Sequence, residues 1–191
     1  MSSLPVIRPE WVNTARLIPR PNGGQPPQVR RYPLDDNIGM GRGVFLNLNG
    51  TLVEPLKPER LDGMRLIPGA VEAVKRLCSA GFICPVITVQ RRIAKGLFSL
   101  AEFETWFTDF ASGLQSGGAI IVGLYVCPHR FADPCPCKKP NTFLYDRAAV
   151  DHGLDAAASF VIGDSPEDGM LPSASGVTDA WYGRAGQLIL V

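Results

Sequence analysis

With 191 residues, 46% of them apolar, and a formal net charge of +1, the chain has the size of one domain with a substantial buried core. That balance argues against disorder and against a polyelectrolyte partner, and the basic runs interleaved with aromatics that mark nucleic-acid binding are absent. No apolar stretch approaches the roughly 20 residues needed to span a bilayer. Residues 1–10 lack the charged start and long apolar core of a signal peptide, so the expectation is a cytoplasmic protein without a membrane partner.

Residues 1–42 hold seven of the seventeen prolines, six arginines and the turn former Pro21-Asn22-Gly23-Gly24. They read as an extended arm without a core of its own. It is expected to lie over the domain, to meet a second copy in a homo-oligomer, or to dock a protein partner. From residue 43 to 191 a second pattern takes over, in which strand and helix alternate. Gly43–Asn47 is a short apolar strand running into Leu48-Asn49-Gly50-Thr51. The loop Glu54–Arg65 is expected to overhang whatever site forms there. Pro68–Ala80 is a predicted helix, with Pro at its first turn and Gly81 as its stop. Phe82–Val89 is a predicted strand. Ser99 and Glu102 form a capping box that opens a helix to about Leu114, with Phe103, Trp106, Phe107 and Phe110 on its core side. Ala119–Val126 is a further apolar run, Asn141–His152 a helix ended by Gly153, and Ser159–Ile162 a strand. His152 is expected to be exposed at the helix end, where its charge complements the dipole.

Strands recurring with helices between them predict a parallel sheet covered on both faces. In such sheets chemistry gathers at the carboxyl ends of the strands. Those ends read Asn47-Leu48-Asn49, Thr88-Val89-Gln90, Cys127-Pro128-His129 and Gly163-Asp164-Ser165. Among the five cysteines, Cys127, Cys135 and Cys137 cluster with His129 as Cys-x-His-x5-Cys-x-Cys. In an extended segment residues i and i+2 face one side, so the four suit a closed tetrahedral Zn²⁺. The bland alternative is a reduced loop with incidental thiols. Cys78 and Cys84 fall on apolar faces and are expected in the core.

Taken together, NLNGTLVE at 47–54, IPGAVEAVKRL at 67–77, VITVQRRIAKGLF at 86–98, the CPH and CPCKKP segments and IGDSPED at 162–168 resemble the haloacid-dehalogenase (HAD) superfamily. More closely, they are similar to its small branch of heptose-bisphosphate and histidinol-phosphate phosphatases. The resemblance implies an α/β, Rossmann-like fold without a large cap domain and with a zinc-binding loop. It also implies that Thr88 and Lys139 hold a phosphoryl group. Gln90 and Arg91, which follow Thr88, and Lys138, which the zinc loop carries beside Lys139, are expected to bind substrate, with a solvated face as the alternative for Arg91. Asp164 and Asp168 fall on the Mg²⁺ side, and Cys127, His129, Cys135 and Cys137 on the Zn²⁺ side.

In that branch an aspartate attacks phosphorus and a second aspartate moves the proton. Here the nucleophile position is Asn47 and the acid/base position is Asn49. A carboxamide has neither the charge nor the basicity for either task, and Mg²⁺ prefers carboxylate oxygen, so a weakened Mg²⁺ site is expected. Three functions stay open. The first is a pseudoenzyme-like protein that binds a phosphorylated small molecule, with hydrolysis lost or strongly impaired. The second is an active phosphomonoesterase on a heptose-bisphosphate or histidinol-phosphate-like substrate. The third is a non-catalytic docking protein.

Overall fold

The computed structural model describes residues 41–170 and the backbone of two further strands, Val12–Asn13 and Asp179–Tyr182. The predicted arm therefore lies outside the described residues, except for Val12–Asn13 and residues 41–42. Numbered in chain order, the strands are β1 (Val12–Asn13), β2 (Gly41–Leu46), β3 (Val53–Glu54), β4 (Arg65–Leu66), β5 (Pro85–Val89), β6 (Gly123–Cys127), β7 (Leu154–Gly163) and β8 (Asp179–Tyr182). The helices are α1 (Ala70–Ser79), α2 (Arg91–Ala94), α3 (Leu100–Ser116), α4 (Phe143–His152) and α5 (Pro166–Gly169).

Six strands form one parallel sheet in the order β1-β6-β5-β2-β7-β8. Alternation along each strand explains why both faces need a cover. Val44 and Leu46 of β2, Val86 of β5 and Leu124 and Val126 of β6 pack with Val74 and Leu77 of α1 and Phe103 and Phe107 of α3. The intervening residues Phe45, Ile87, Tyr125 and Val161 pack on the other face with Leu144, Tyr145 and Ala148 of α4. Burying several such side chains on each face contributes roughly 1.5–3 kcal/mol apiece. This apolar burial is the main force holding the layers together.

The local signals account for most helix ends. Ser99 and Glu102 form both halves of the capping box at α3, and Gly153 closes α4 with φ of 60°. Pro68 does not open α1. Gly69, at φ 85°, takes the N-cap position, and the left-handed turn there delays the helix to Ala70. Between β2 and α1 the chain holds only the β3–β4 pair and a short 3-10 turn at Leu61–Gly63. Among the described residues there is thus no large cap over the sheet. No helix among them is long and apolar enough to cross a membrane.

The strand order reverses at β2, with β5 on one side and β7 on the other. The chain leaves those three neighbouring strands at Asn47, Gln90 and Asp164, which brings residues distant in sequence to one edge of the sheet.

Candidate active site

A cleft of about 410 Å³ opens at that edge, lined by Asn47, Asn49, Thr88, Gln90, Lys139 and Asp164 and rimmed by Lys57, Arg91, Arg92 and Lys95. The turn after β2 is tightly made. The Asn47 amide N–H donates to Ile162 O at 2.8 Å, Gly50 N–H donates to Val53 O at 2.7 Å, and Leu52 N–H donates to Leu48 O at 2.8 Å. Leu48 and Leu52 are buried beneath it. Gly50 has φ of 83°, and a Cβ there would run into the Asp164 carboxyl at 2.5 Å. Glycine is required at this position on both counts.

Asn47 Nδ2 donates to the backbone oxygen of Asn49 at 3.1 Å and, in a short hydrogen bond, to Asp164 Oδ1. Asn49 is 8% exposed, and both ends of its carboxamide are engaged. Oδ1 accepts from Gln90 Nε2 at 2.7 Å. Nδ2 donates to Pro55 O at 3.2 Å and lies 3.5 Å from Met64 Sδ. Gln90 Nε2 also donates to Thr88 Oγ1 at 3.0 Å. Gln90 itself is buried, its backbone N–H held by Cys127 O at 2.8 Å.

Lys139 and Asp168 form a buried ion pair, with Nζ 2.6 Å from Oδ1 and side-chain exposures of 7% and 0%. The other Asp168 oxygen accepts from Ser165 N at 3.2 Å and Ser165 Oγ at 2.7 Å. Asp168 is thereby the N3 residue of a capping box on α5 as well as the counter-charge of Lys139. Gly163 lies against it, where a Cβ would overlap the carboxyl group. Asp164 is half-buried. Burial raises its pKa above the usual carboxylate range, the Asn47 hydrogen bond opposes that rise, and the neighbouring Asp168 charge adds to it.

The cleft is biased toward anions. Five cationic side chains line it (Lys57, Arg91, Arg92, Lys95 and Lys139) against the carboxylates of Asp164 and Glu167. The overhanging loop expected over 54–65 contributes Leu56, Lys57 and Pro58 to the lining. Ser165, which sequence reasoning places at a strand end, also lines it, as does Glu167, to which sequence reasoning gives no role. The signal for Glu167 was the short polar stretch after the last buried strand residue. Lys138 does not reach the cleft. Its Nζ donates to the backbone oxygens of Phe131 at 2.6 Å and Asp133 at 3.3 Å, and it sits 5.3 Å from the Phe131 ring centroid. Arg91 packs on that ring from the cleft side, at 4.9 Å.

Behind the cleft, Cys127, His129, Cys135 and Cys137 converge, their ligand atoms all within 4.8 Å of one another. Cys127 Sγ lies 3.7 Å from both Cys135 Sγ and His129 Nδ1, and Cys137 Sγ lies 3.2 Å from His129 Nδ1. A tetrahedron with bonds of about 2.3 Å has edges of about 3.8 Å, so the donor set and spacing fit a zinc-sized ion. The thiols also perturb one another. A hydrogen bond from Cys137 pulls Cys127 down to about 5, and the same contact with burial pushes Cys137 up.

Two expectations need correction. His152 is half-buried rather than exposed, with Nε2 3.1 Å from the Tyr125 hydroxyl. Burial lowers its pKa, against the opposing pull of Asp151, which disfavours the helix-end cation. Cys84 is a core thiol as expected, but Cys78 is half-buried and exchanges hydrogen bonds with the backbone of Ile120.

The parallel sheet, its strand order and the cleft at the reversal point define an α/β fold of the HAD type. The solved structure of D,D-heptose 1,7-bisphosphate phosphatase from B. bronchiseptica, complexed with magnesium and phosphate, superposes with a TM-score of 0.66 at 24% identity. The match covers 74% of this chain and 79% of that one. A HAD-like protein of Mesorhizobium loti superposes with a TM-score of 0.69 at 23% identity, covering 76% and 73%. No protein-family model matches the chain. In sequence it is 30% identical over 157 residues to the D-glycero-beta-D-manno-heptose-1,7-bisphosphate 7-phosphatase of Haemophilus ducreyi, covering 78% of this chain and 86% of that protein. It is 31% identical over 154 residues to the protein of the same name from Escherichia coli K12, covering 76% and 81%. The chain belongs to this heptose-bisphosphate phosphatase family of the HAD superfamily.

Proposed function

We propose that the cleft binds a phosphorylated, sugar-like small molecule and that hydrolysis is lost or strongly impaired. The observation that carries this reading is the carboxamide pair at 47 and 49, set among cationic side chains in the cleft. Lys139 and Thr88 would hold phosphoryl oxygens, with Arg91, Arg92, Lys95 and Lys57 available to further anionic groups of the ligand. The neutral Asn47 oxygen is too weak a nucleophile to displace a phosphate ester. Asn49, whose carboxamide is committed to Gln90 and Pro55, has no proton to exchange at accessible pH. The four Cys and His residues would hold a structural zinc, since all four positions are filled by protein.

The names of the sequence relatives favour a second reading, an active phosphomonoesterase on a heptose-bisphosphate; a histidinol-phosphate-like substrate is the further alternative of that reading. Phosphate release from a panel of sugar phosphates, measured on native protein and on Asn47→Asp and Asn47→Asp/Asn49→Asp variants, separates the two. Silence of the native protein with turnover by the double variant supports the binding role. Turnover by native protein whose asparagines are intact by mass spectrometry overturns it. Silence of every variant favours the docking reading, whose arm falls mostly on residues outside the described ones.

A further inference from the structure

Two oxygens from distant parts of the chain converge on a single nitrogen at the floor of the cleft. Asn47 Nδ2 donates to the Asn49 backbone oxygen at 3.1 Å and to Asp164 Oδ1. Asp164 is 117 residues away in sequence. Such a convergence of a carbonyl and a carboxylate oxygen is what a hard cation would otherwise draw together. The remaining donors do not suit one. Asp168 is committed to Lys139 and Ser165, so Asp164 is the carboxylate in contact with Asn47, while Glu167 lines the same cleft. Turning the Asn47 carboxamide to present Oδ1 would set three oxygens against each other, and the two hydrogen bonds that now hold the corner would be lost. The amide N–H₂ group, with its partial positive charge and two divergent donors, satisfies both oxygens as it stands.

We infer that the Asn47 amide occupies the place of a divalent cation in this cleft, so that phosphorylated ligands bind here without a metal. The inference rests on the reading of the cleft as a phosphate-ester site, and it narrows that site to a metal-independent one. Anion attraction then falls to Lys139 and the basic rim, with Asn47 serving as a positioning residue that fixes Asp164 and the turn after β2. Substituting Asp at position 47 would exchange a donor for an acceptor. Two carboxylates would then face each other and call for a cation between them.

The test uses full-length protein in metal-depleted buffer, with Mn²⁺ as a paramagnetic probe of hard-cation binding and inorganic phosphate as the anion. Mn²⁺ is titrated into native protein and Asn47→Asp and followed by electron paramagnetic resonance. Phosphate is titrated calorimetrically into native protein with and without Mg²⁺. The expected result is Mn²⁺ binding at least about tenfold tighter in Asn47→Asp than in native protein. Native phosphate affinity should also stay within about twofold when Mg²⁺ is added. The inference is overturned if native protein binds Mn²⁺ as tightly as the variant, or if Mg²⁺ raises its phosphate affinity about tenfold. Phosphate binding under neither condition would refute the phosphate-site reading on its own, while the Mn²⁺ comparison still decides the role of Asn47. Should Asn47→Asp fail to fold without metal, recovery of its thermal midpoint by Mg²⁺, with no such shift in native protein, supports the same conclusion.

Discussion

Replacing Asp168 by Asn tests whether the buried Lys139–Asp168 pair organises this edge of the sheet. The carboxyl is fully buried and accepts from Lys139 Nζ at 2.6 Å, Ser165 Oγ at 2.7 Å and Ser165 N at 3.2 Å. Asn keeps the volume and one acceptor but removes the charge that compensates a lysine side chain only 7% exposed. Breaking a buried pair by removing one partner costs about 3–5 kcal/mol. The conserved shape and surviving acceptor place this change near the lower end, at about 3 kcal/mol. For a chain of 191 residues, that corresponds to a fall in thermal midpoint of roughly 6–12 °C. Urea denaturation followed by circular dichroism measures the loss directly. Adding Lys139→Met removes the stranded charge, so the double variant should regain at least about half of it. A single-variant loss below about 1 kcal/mol, or additive effects in the cycle, would refute the assigned role of the pair.

Acid should weaken the fold through His152. Burial depresses its pKa below the ordinary value of about 6.5, so the unfolded chain binds more protons between the two values. The stability from burying it neutral is complete above about pH 6.5 and is lost as pH falls through the depressed folded value. Urea midpoints for native protein should drop between about pH 7.5 and 5.5, and His152→Gln should flatten that slope. Metal analysis should find one zinc per chain, and Cys137→Ser should abolish it while lowering the thermal midpoint by roughly 10 °C, about 3 kcal/mol at this size; an unchanged midpoint counts against a structural ion. Asn49-Gly50 looks prone to deamidation in sequence, yet its carboxamide is held by Gln90 and Pro55 and Gly50 N–H by Val53 O. Mass spectrometry of aged folded protein should find position 49 intact, with conversion appearing only after denaturation.

Much of the fold was legible locally. Apolar runs of strand length, the Ser99–Glu102 box and Gly153 mark their elements because strand alternation and helix capping depend on neighbours a few residues apart. The zinc-type cluster was legible for the same reason, since each i and i+2 pair already faces one way. Local chemistry misplaced the start of α1, where Pro68 suggested a first turn and the positive φ of Gly69 set the boundary instead. It also misjudged Lys138, whose ammonium is held by the backbone oxygens of Phe131 and Asp133. Lys139 entered the cleft, and Lys138 turned back onto the Phe131 loop.

What the chain determined by itself was the α/β pattern, the residues at the strand ends and the asparagines at 47 and 49. Only tertiary structure decided which groups meet. Asp168 pairs with Lys139, His152 is drawn in beside Tyr125, and Asn47 finds Asp164 across 117 residues. Those partnerships come from the crossover connections that set β2 beside β7 and pack α4 and its preceding loop against the sheet. A hydrogen bond or ion pair depends on ångström separations in space, and sequence distance carries no record of them.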